Sequence, residues 1–311
     1  MTDEHAKLKA RVEEGEGFDE DNWQNTENKK ANLACPNNKP FVQFGHLDTG
    51  AAMNWWINYH WTVKDGTYDS GRWFRSNFDP KQFFELSSEG LTLRAFGDEQ
   101  DKCITSELVS RMFPGDNYSF LVTARVDSGD KSFAKLDPNL IFGIFTYQFG
   151  NADPSTTPNI HRELDLLEIV SGKWAQKDKT GNAQFTVQPW DKSGNLKRLT
   201  IPDTRYLTAW MSRVGPGPTG PTYPVVHYKL FKGDYSQENI GKATPFAEWL
   251  VPTPYIPPST GCARFHINLY LAEGLPPQKE QRITITRIQL LQTQAGGSGA
   301  VVPPLTRWNG S

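Results

Sequence analysis

The chain has 311 residues, with 33 basic and 35 acidic side chains giving a net charge of −2, 37% hydrophobic residues and 12% aromatics. That balance excludes the basic field with which a nucleic-acid binder meets phosphates, and it offers no attraction to an anionic membrane surface. No stretch approaches the ~20 apolar residues that span a bilayer, and the length suits one large β domain or two ordinary ones.

In chain order, residues 1–40 read as a polar N-terminal extension. Within it, 5–15 (HAKLKARVEEG) has the pattern of one short polar helix capped by Thr2 or Asp3. The same stretch is highly charged and has no apolar h-region, so as it stands it is not a secretion signal. NWWINYHW at 54–61 reads as a loop folded on the domain in preference to an outer sugar subsite. Short apolar runs then alternate with Gly, Pro, Asn and Asp clusters, the pattern of an all-β chain. Strands are expected at 90–96, 103–112, 118–127, 140–149, 163–171, 183–188, 205–213, 224–232, 262–272 and 282–292. In the last (RITITRIQLLQ), strict alternation puts Ile283, Ile285 and Arg287 on one face and Thr284, Thr286 and Ile288 on the other. GPGPTGPTYP at 215–224 reads as a surface excursion and 294–311 as a flexible C-terminal tail. Ten or more strands with short connections, no internal repeat and no second composition regime point to one jelly-roll sandwich of two antiparallel sheets over 41–293.

Cys35, Cys103 and Cys262 lie far apart, share no metal-ligand spacing and allow at most one disulfide. The six His form no H-x-x-x-H pairing, and neither a phosphate loop nor a G-x-S-x-G elbow occurs. Metal, phosphoryl-transfer and serine-hydrolase chemistry therefore lack motif support.

The chemistry-bearing segment is HRELDLLEIVSG at 161–172, where Glu163, Asp165 and Glu168 interrupt an otherwise core-like strand. With period 2, Glu163 and Asp165 share a face and Glu168 falls on the other. One extra residue at Leu166–Leu167, a β-bulge, would return Glu168 to the face of the first two and leave leucines for the core. Three carboxylates on one face repel, which raises the pKa of at least one. Such separation is what two-carboxylate acid/base chemistry requires. A solvated strand face and a calcium site remain alternatives on spacing alone.

E-L-D-L-L-E resembles the E-x-D-x-x-E signature of glycoside hydrolase family 16, in the bulged form of its laminarinase-like members. The context is similar: SSEGLTLRA at 87–95, the strand pair within 104–126, LIFGIFTYQ at 140–148, YLTAWMS at 206–212, VVHYKLFKGD at 225–234, RFHINLYLAEGLPP at 264–277 and RITITRIQLLQ, together spanning about 40–293. The resemblance implies a concanavalin A-like jelly roll and a retaining endo-β-glycanase, with Glu163 as nucleophile, Asp165 assisting it and Glu168 as general acid/base. It implies a polysaccharide or oligosaccharide substrate, no catalytic cofactor, a monomer, and a secreted or periplasmic setting. A Ca2+ ion would serve only structure, and no ligand set for it is legible. Two departures stand out. LIFGIF lacks the Trp-Pro of family members, and the strand after the site carries Gln184 and Gln188 where His is common. A transglycosylase or a non-catalytic, lectin-like jelly roll are the alternatives. Trp210 and Asn268 are the first candidates to hold sugar, followed by Trp174, Trp190, His266 and Arg162, with His161 beside the last; for any one Trp, core packing is an equal alternative.

Overall fold

The computed structural model describes residues 55–63, 84–87, 89–97, 102–110, 113–114, 117–148, 163–170, 181–215, 224–251, 256, 262–271 and 277–292. The expected extension at 1–40 with its helix, the tail at 294–311 and residues 216–223 of the Gly/Pro excursion lie outside them. In chain order the strands are β1 (Trp55–Val63), β2 (Phe84–Ser87), β3 (Gly90–Gly97), β4 (Lys102–Ser110), β5 (Phe113–Pro114), β6 (Tyr118–Val126), β7 (Leu140–Gln148) and β8 (Glu163–Val170). They continue with β9 (Ala183–Val187), β10 (Leu196–Leu199), β11 (Tyr206–Val214), β12 (Val225–Lys232), β13 (Ala247–Leu250), β14 (Cys262–Leu271) and β15 (Gln281–Gln292). Two 3-10 turns, Phe133–Lys135 and Ile240–Lys242, are the only helical elements among the described residues, and no helix there is long and apolar enough to cross a membrane.

The strands form a jelly-roll sandwich of two antiparallel sheets. One sheet runs β2-β3-β15-β6-β11-β12-β13, the other β10-β9-β8-β7-β14-β4-β1 with β5 on β14. The far end of β3 crosses over to pair with β4, Phe96 opposite Ile104 and Gly97 opposite Cys103, and so joins the two. A single core lies between them. The first sheet contributes Leu91, Leu93, Phe120, Val122, Ala209, Met211, Tyr228, Ile283 and Ile285, and the second contributes Phe142, Ile144, Leu164, Leu166, Leu167, Ile169, Phe185, Phe265 and Ile267. Apart from the consecutive Leu166 and Leu167, these are alternate residues of their strands, as a sheet with one buried face requires.

Two expectations are corrected. From Trp55 on, the aromatic run expected as a loop is a strand: β1 pairs with β4 along its whole length, from Trp55 opposite Ser110 to Val63 opposite Lys102. Its Trp, Tyr, Ile, Thr and Val are strong strand formers, and nine residues without Gly or Pro leave nothing to break the ladder. In β15 strict alternation fails. The register shifts between Ile285 and Arg287, so Thr286 is an extra residue. Ile288 therefore joins Ile283 and Ile285 in the core, while Arg287 turns out to donate to Asp234 and the Tyr235 carbonyl. Gly90, at φ +136°, packs against this irregularity so closely that a Cβ would sit 2.1 Å from the Ile285 oxygen.

Candidate active site

The bulge expected in the carboxylate strand is present. Against β7, Leu167 pairs with Ile144 and Asp165 with Phe145, so Leu166 has no partner. Against β9, Asp165 pairs with Thr186 and Glu168 with Gln184, so Leu166 and Leu167 face Phe185 alone. Leu164, Leu166, Leu167 and Ile169 all enter the core. Glu163, Asp165 and Glu168 pair with Tyr147, Phe145 and Gly143, which are alternate residues of β7 and hence share one face. The three acids thus lie in a row on the outer face of the second sheet, and the apolar side of the same strand anchors them.

Each acid has a different environment. Asp165 is only 5% exposed. Burial first, then the charges of Glu163 and Glu168 and a hydrogen bond to Glu163, push its carboxyl well above the usual range, against a lowering by Gln188. The site therefore favours the neutral form of Asp165, which is hydrogen-bonded to Glu163. Gln188 Nε2 donates to Asp165 Oδ2 at 3.3 Å from the other side, and the Gln188 backbone N–H donates to the Glu163 carbonyl at 3.1 Å. Glu168 is also raised, chiefly by burial and further by Glu163, while the Gln184 amide and Arg198 pull it down. Gln184 Nε2 donates to Glu168 Oε2, and Arg198 donates to Gln184 Oε1. The site thus holds two acids whose neutral forms are favoured, Asp165 and Glu168, with Asp165 hydrogen-bonded to Glu163. That is the arrangement for paired acid and nucleophile work.

Of the proposed sugar contacts, the structure brings His266 and Asn268 to this face. They pair with Phe145 and Gly143 across β7–β14. His266 stacks on Phe145 with centroids 4.8 Å apart, and Tyr147 meets its edge at 6.5 Å. Asn268 Oδ1 lies over Gly143, where a Cβ would come within 2.4 Å of it. The missing side chain at Gly143 lets the Asn268 side chain lie across that strand, with Glu168 paired on the other side of Gly143. Trp190, 57% exposed, stands at the rim, its backbone N–H donating to Gln188 Oε1 at 3.1 Å. Trp174 and Arg162, with His161, lie outside the described residues.

Trp210 is not part of this face. Its neighbours Ala209 and Met211 point into the core, so Trp210 projects from the outer side of the opposite sheet. It packs there with Leu121, Phe231 and Ile240, under Lys229 Nζ at 5.7 Å and edge-on to His227 at 5.6 Å. The alternation L-T-A-W-M held this signal, since small and apolar Ala209 and Met211 fix the inward phase. Sequence reasoning missed Phe145, Tyr147 and Gly143, which the alternation of β7 opposite β8 would have found. It missed Arg198, because β10 is four residues long and carries no pattern. Among the described residues no group of three or more His, Cys, Asp or Glu is disposed to hold a metal ion.

No protein-family model matches the chain, and no curated protein matches it. Among solved structures it is similar to a glycosyl hydrolase family protein from Mycobacterium fortuitum (15% identity, 81% of this chain and 100% of that one, TM-score 0.48). It is also similar to a laminarinase from Flavobacterium sp. UMI-01 (13% identity, 80% and 98%, TM-score 0.46) and to lectin I from Ulex europaeus (10% identity, 80% and 95%, TM-score 0.44).

Proposed function

We propose that the chain is a retaining, endo-acting hydrolase of a β-linked polysaccharide, working as a monomer without a cofactor in a secreted or periplasmic setting. One observation carries this reading: the Leu166 bulge sets three differently buried carboxyls on one face, with Asp165 bonded to Glu163 and Glu168 held separately by Gln184. Glu163 attacks the anomeric carbon as Glu168 gives its proton to the departing oxygen. Asp165, protonated, donates to Glu163 and keeps the charge of that carboxylate in place. In the second step Glu168 takes a proton from water, whose oxygen displaces Glu163. The resemblance of the E-x-D-x-x-E segment supports these roles. Phe145, His266, Asn268 and Trp190 would line the sugar path.

The test is a panel of β-linked polysaccharides, with the anomer released first followed by NMR. Retention at the anomeric carbon is expected. Glu163→Gln and Glu168→Gln should each lower kcat/KM by about 10²–10⁴-fold and leave glycan binding in place. Release of the inverted anomer would overturn the double displacement. Binding of a glycan that the wild type never cleaves would establish the lectin-like alternative, and transfer to a sugar acceptor in place of water would make the chain a transglycosylase.

A further inference from the structure

Gln184 and Arg198 occupy the first and second strands beyond Glu168, at positions paired across the ladder: Glu168 opposite Gln184, and Gln184 opposite Arg198. Their side chains are joined end to end, Arg198 Nη1 donating to Gln184 Oε1 and Gln184 Nε2 donating to Glu168 Oε2. An amide side chain can normally turn over and present either its oxygen or its nitrogen. A guanidinium has only donors and cannot accept, so Arg198 permits one orientation, with the amide oxygen toward itself and the N–H groups toward Glu168. We propose that Arg198 acts through Gln184 as a positioning residue for Glu168, holding the amide N–H on Oε2 and thereby confining the proton of the protonated acid to Oε1. This rests on the reading of Glu168 as the general acid. A carboxyl oxygen already accepting a fixed N–H is a poor site for a proton, and Gln184, locked by Arg198, has no acceptor to offer there. The acid would then present its proton from one atom only, which is what directional transfer to a leaving oxygen needs.

The groups that bear on Glu168 are Glu163 and Asp165 on its own strand and Arg198 on β10, with His266 of β14 on the same sheet face. Only Arg198 and the Gln184 amide favour its ionised form among the causes of its shift. Removing either should raise the midpoint at which Glu168 loses its proton. The experiment is a pH titration of the full chain labelled with ¹³Cδ-glutamate, the Glu168 signal being assigned by its loss in Glu168→Gln. Gln184→Leu and Arg198→Met should both shift that midpoint upward, and Arg198→Lys, which keeps a charged donor, should restore most of it. Arg198→Met made in the Gln184→Leu background should add much less than it does alone. Full additivity, or an unchanged midpoint in Arg198→Met, overturns the relay. Arg198 is half-buried on a short edge strand, and circular dichroism of each variant confirms that the fold is kept. On any glycan the wild type cleaves, the alkaline limb of kcat/KM should move with the NMR midpoint. Failure to cleave any glycan overturns the functional reading, while the titration still decides the relay.

Discussion

Asp165 is the least replaceable of the three acids in a physical sense, because it is buried, its neutral form is favoured and it still belongs to a charged row. A carboxyl whose folded pKa lies above its unfolded one holds its proton more tightly in the folded state. The stability it contributes is complete below the ordinary carboxylate range and is lost as pH rises toward the raised folded value. Asp165 and Glu168 both act in this direction. Asp165→Asn removes the larger of the two and keeps a donor for Glu163. Its thermal midpoint should therefore fall less steeply than the wild type's from pH 4 to 8 and exceed it at neutral pH, while kcat drops. Parallel pH profiles for the two proteins would contradict the assignment. The identity of the triplet was legible in the sequence because charge inside a core-like run is anomalous. The aromatics beside the acids are legible only when alternation is also weighed: Trp210 has the right chemistry and the wrong phase, whereas Phe145 is placed by its ladder partner Asp165.

At the scale of the strand, the extra residue sets the spacing of the acids. Deleting Leu166 would leave E-L-D-L-E, whose plain alternation keeps Glu168 on the face of Glu163 and Asp165 and Leu167 in the core, at the loss of one buried leucine. A denaturant melt should show a loss of about 2–5 kcal/mol, while the acids stay on one face. Leu166→Ala keeps the extra residue. It should cost about 2–5 kcal/mol by leaving a cavity, yet the folded fraction should retain activity. Loss of cleavage in the deletion variant alone would show that the bulge also sets the reach of Glu168 toward the sugar. The second irregular strand gives a parallel case. Gly90→Ala puts a Cβ against the Ile285 oxygen at a φ of +136° and should lower stability by about 2–3 kcal/mol, read from the same melt. Regular, alternating strands such as β6 and β12 were legible to within a residue or two. The bulge in β15 was not, because T-R-I-Q reads equally well in either phase and only contact with Gly90 and Asp234 selects one. Short β2, β10 and β13 lack the length to show any period.

At the scale of the molecule, one core serves both sheets. Phe120 of the first sheet stacks on Phe265 of the second, and Tyr118 meets Phe265 edge-on at 5.7 Å. Phe265→Ala should cost about 3–5 kcal/mol and lower a single transition seen alike by near- and far-UV circular dichroism. Separation into two transitions would show that the sheets unfold independently. The jelly roll itself was legible from strand count and turn chemistry, since there are few ways to bury one face of so many short strands. The crossing of β3 from sheet to sheet was not, because it depends on two residue pairs at the end of a strand whose own sequence is unremarkable.

The row of acids on β8 also bears on how the chain reaches this fold. A strand rich in leucine on one side could pair with β7 one residue out of step and still bury apolar surface. With Glu163, Asp165 and Glu168 present, any such slip drives carboxylates between the sheets, where nothing on the leucine side would receive them. The residues proposed to do the chemistry thus also penalise misalignment of the strand that carries them, so replacing all three by amides should leave a protein that folds to the same sandwich but less faithfully.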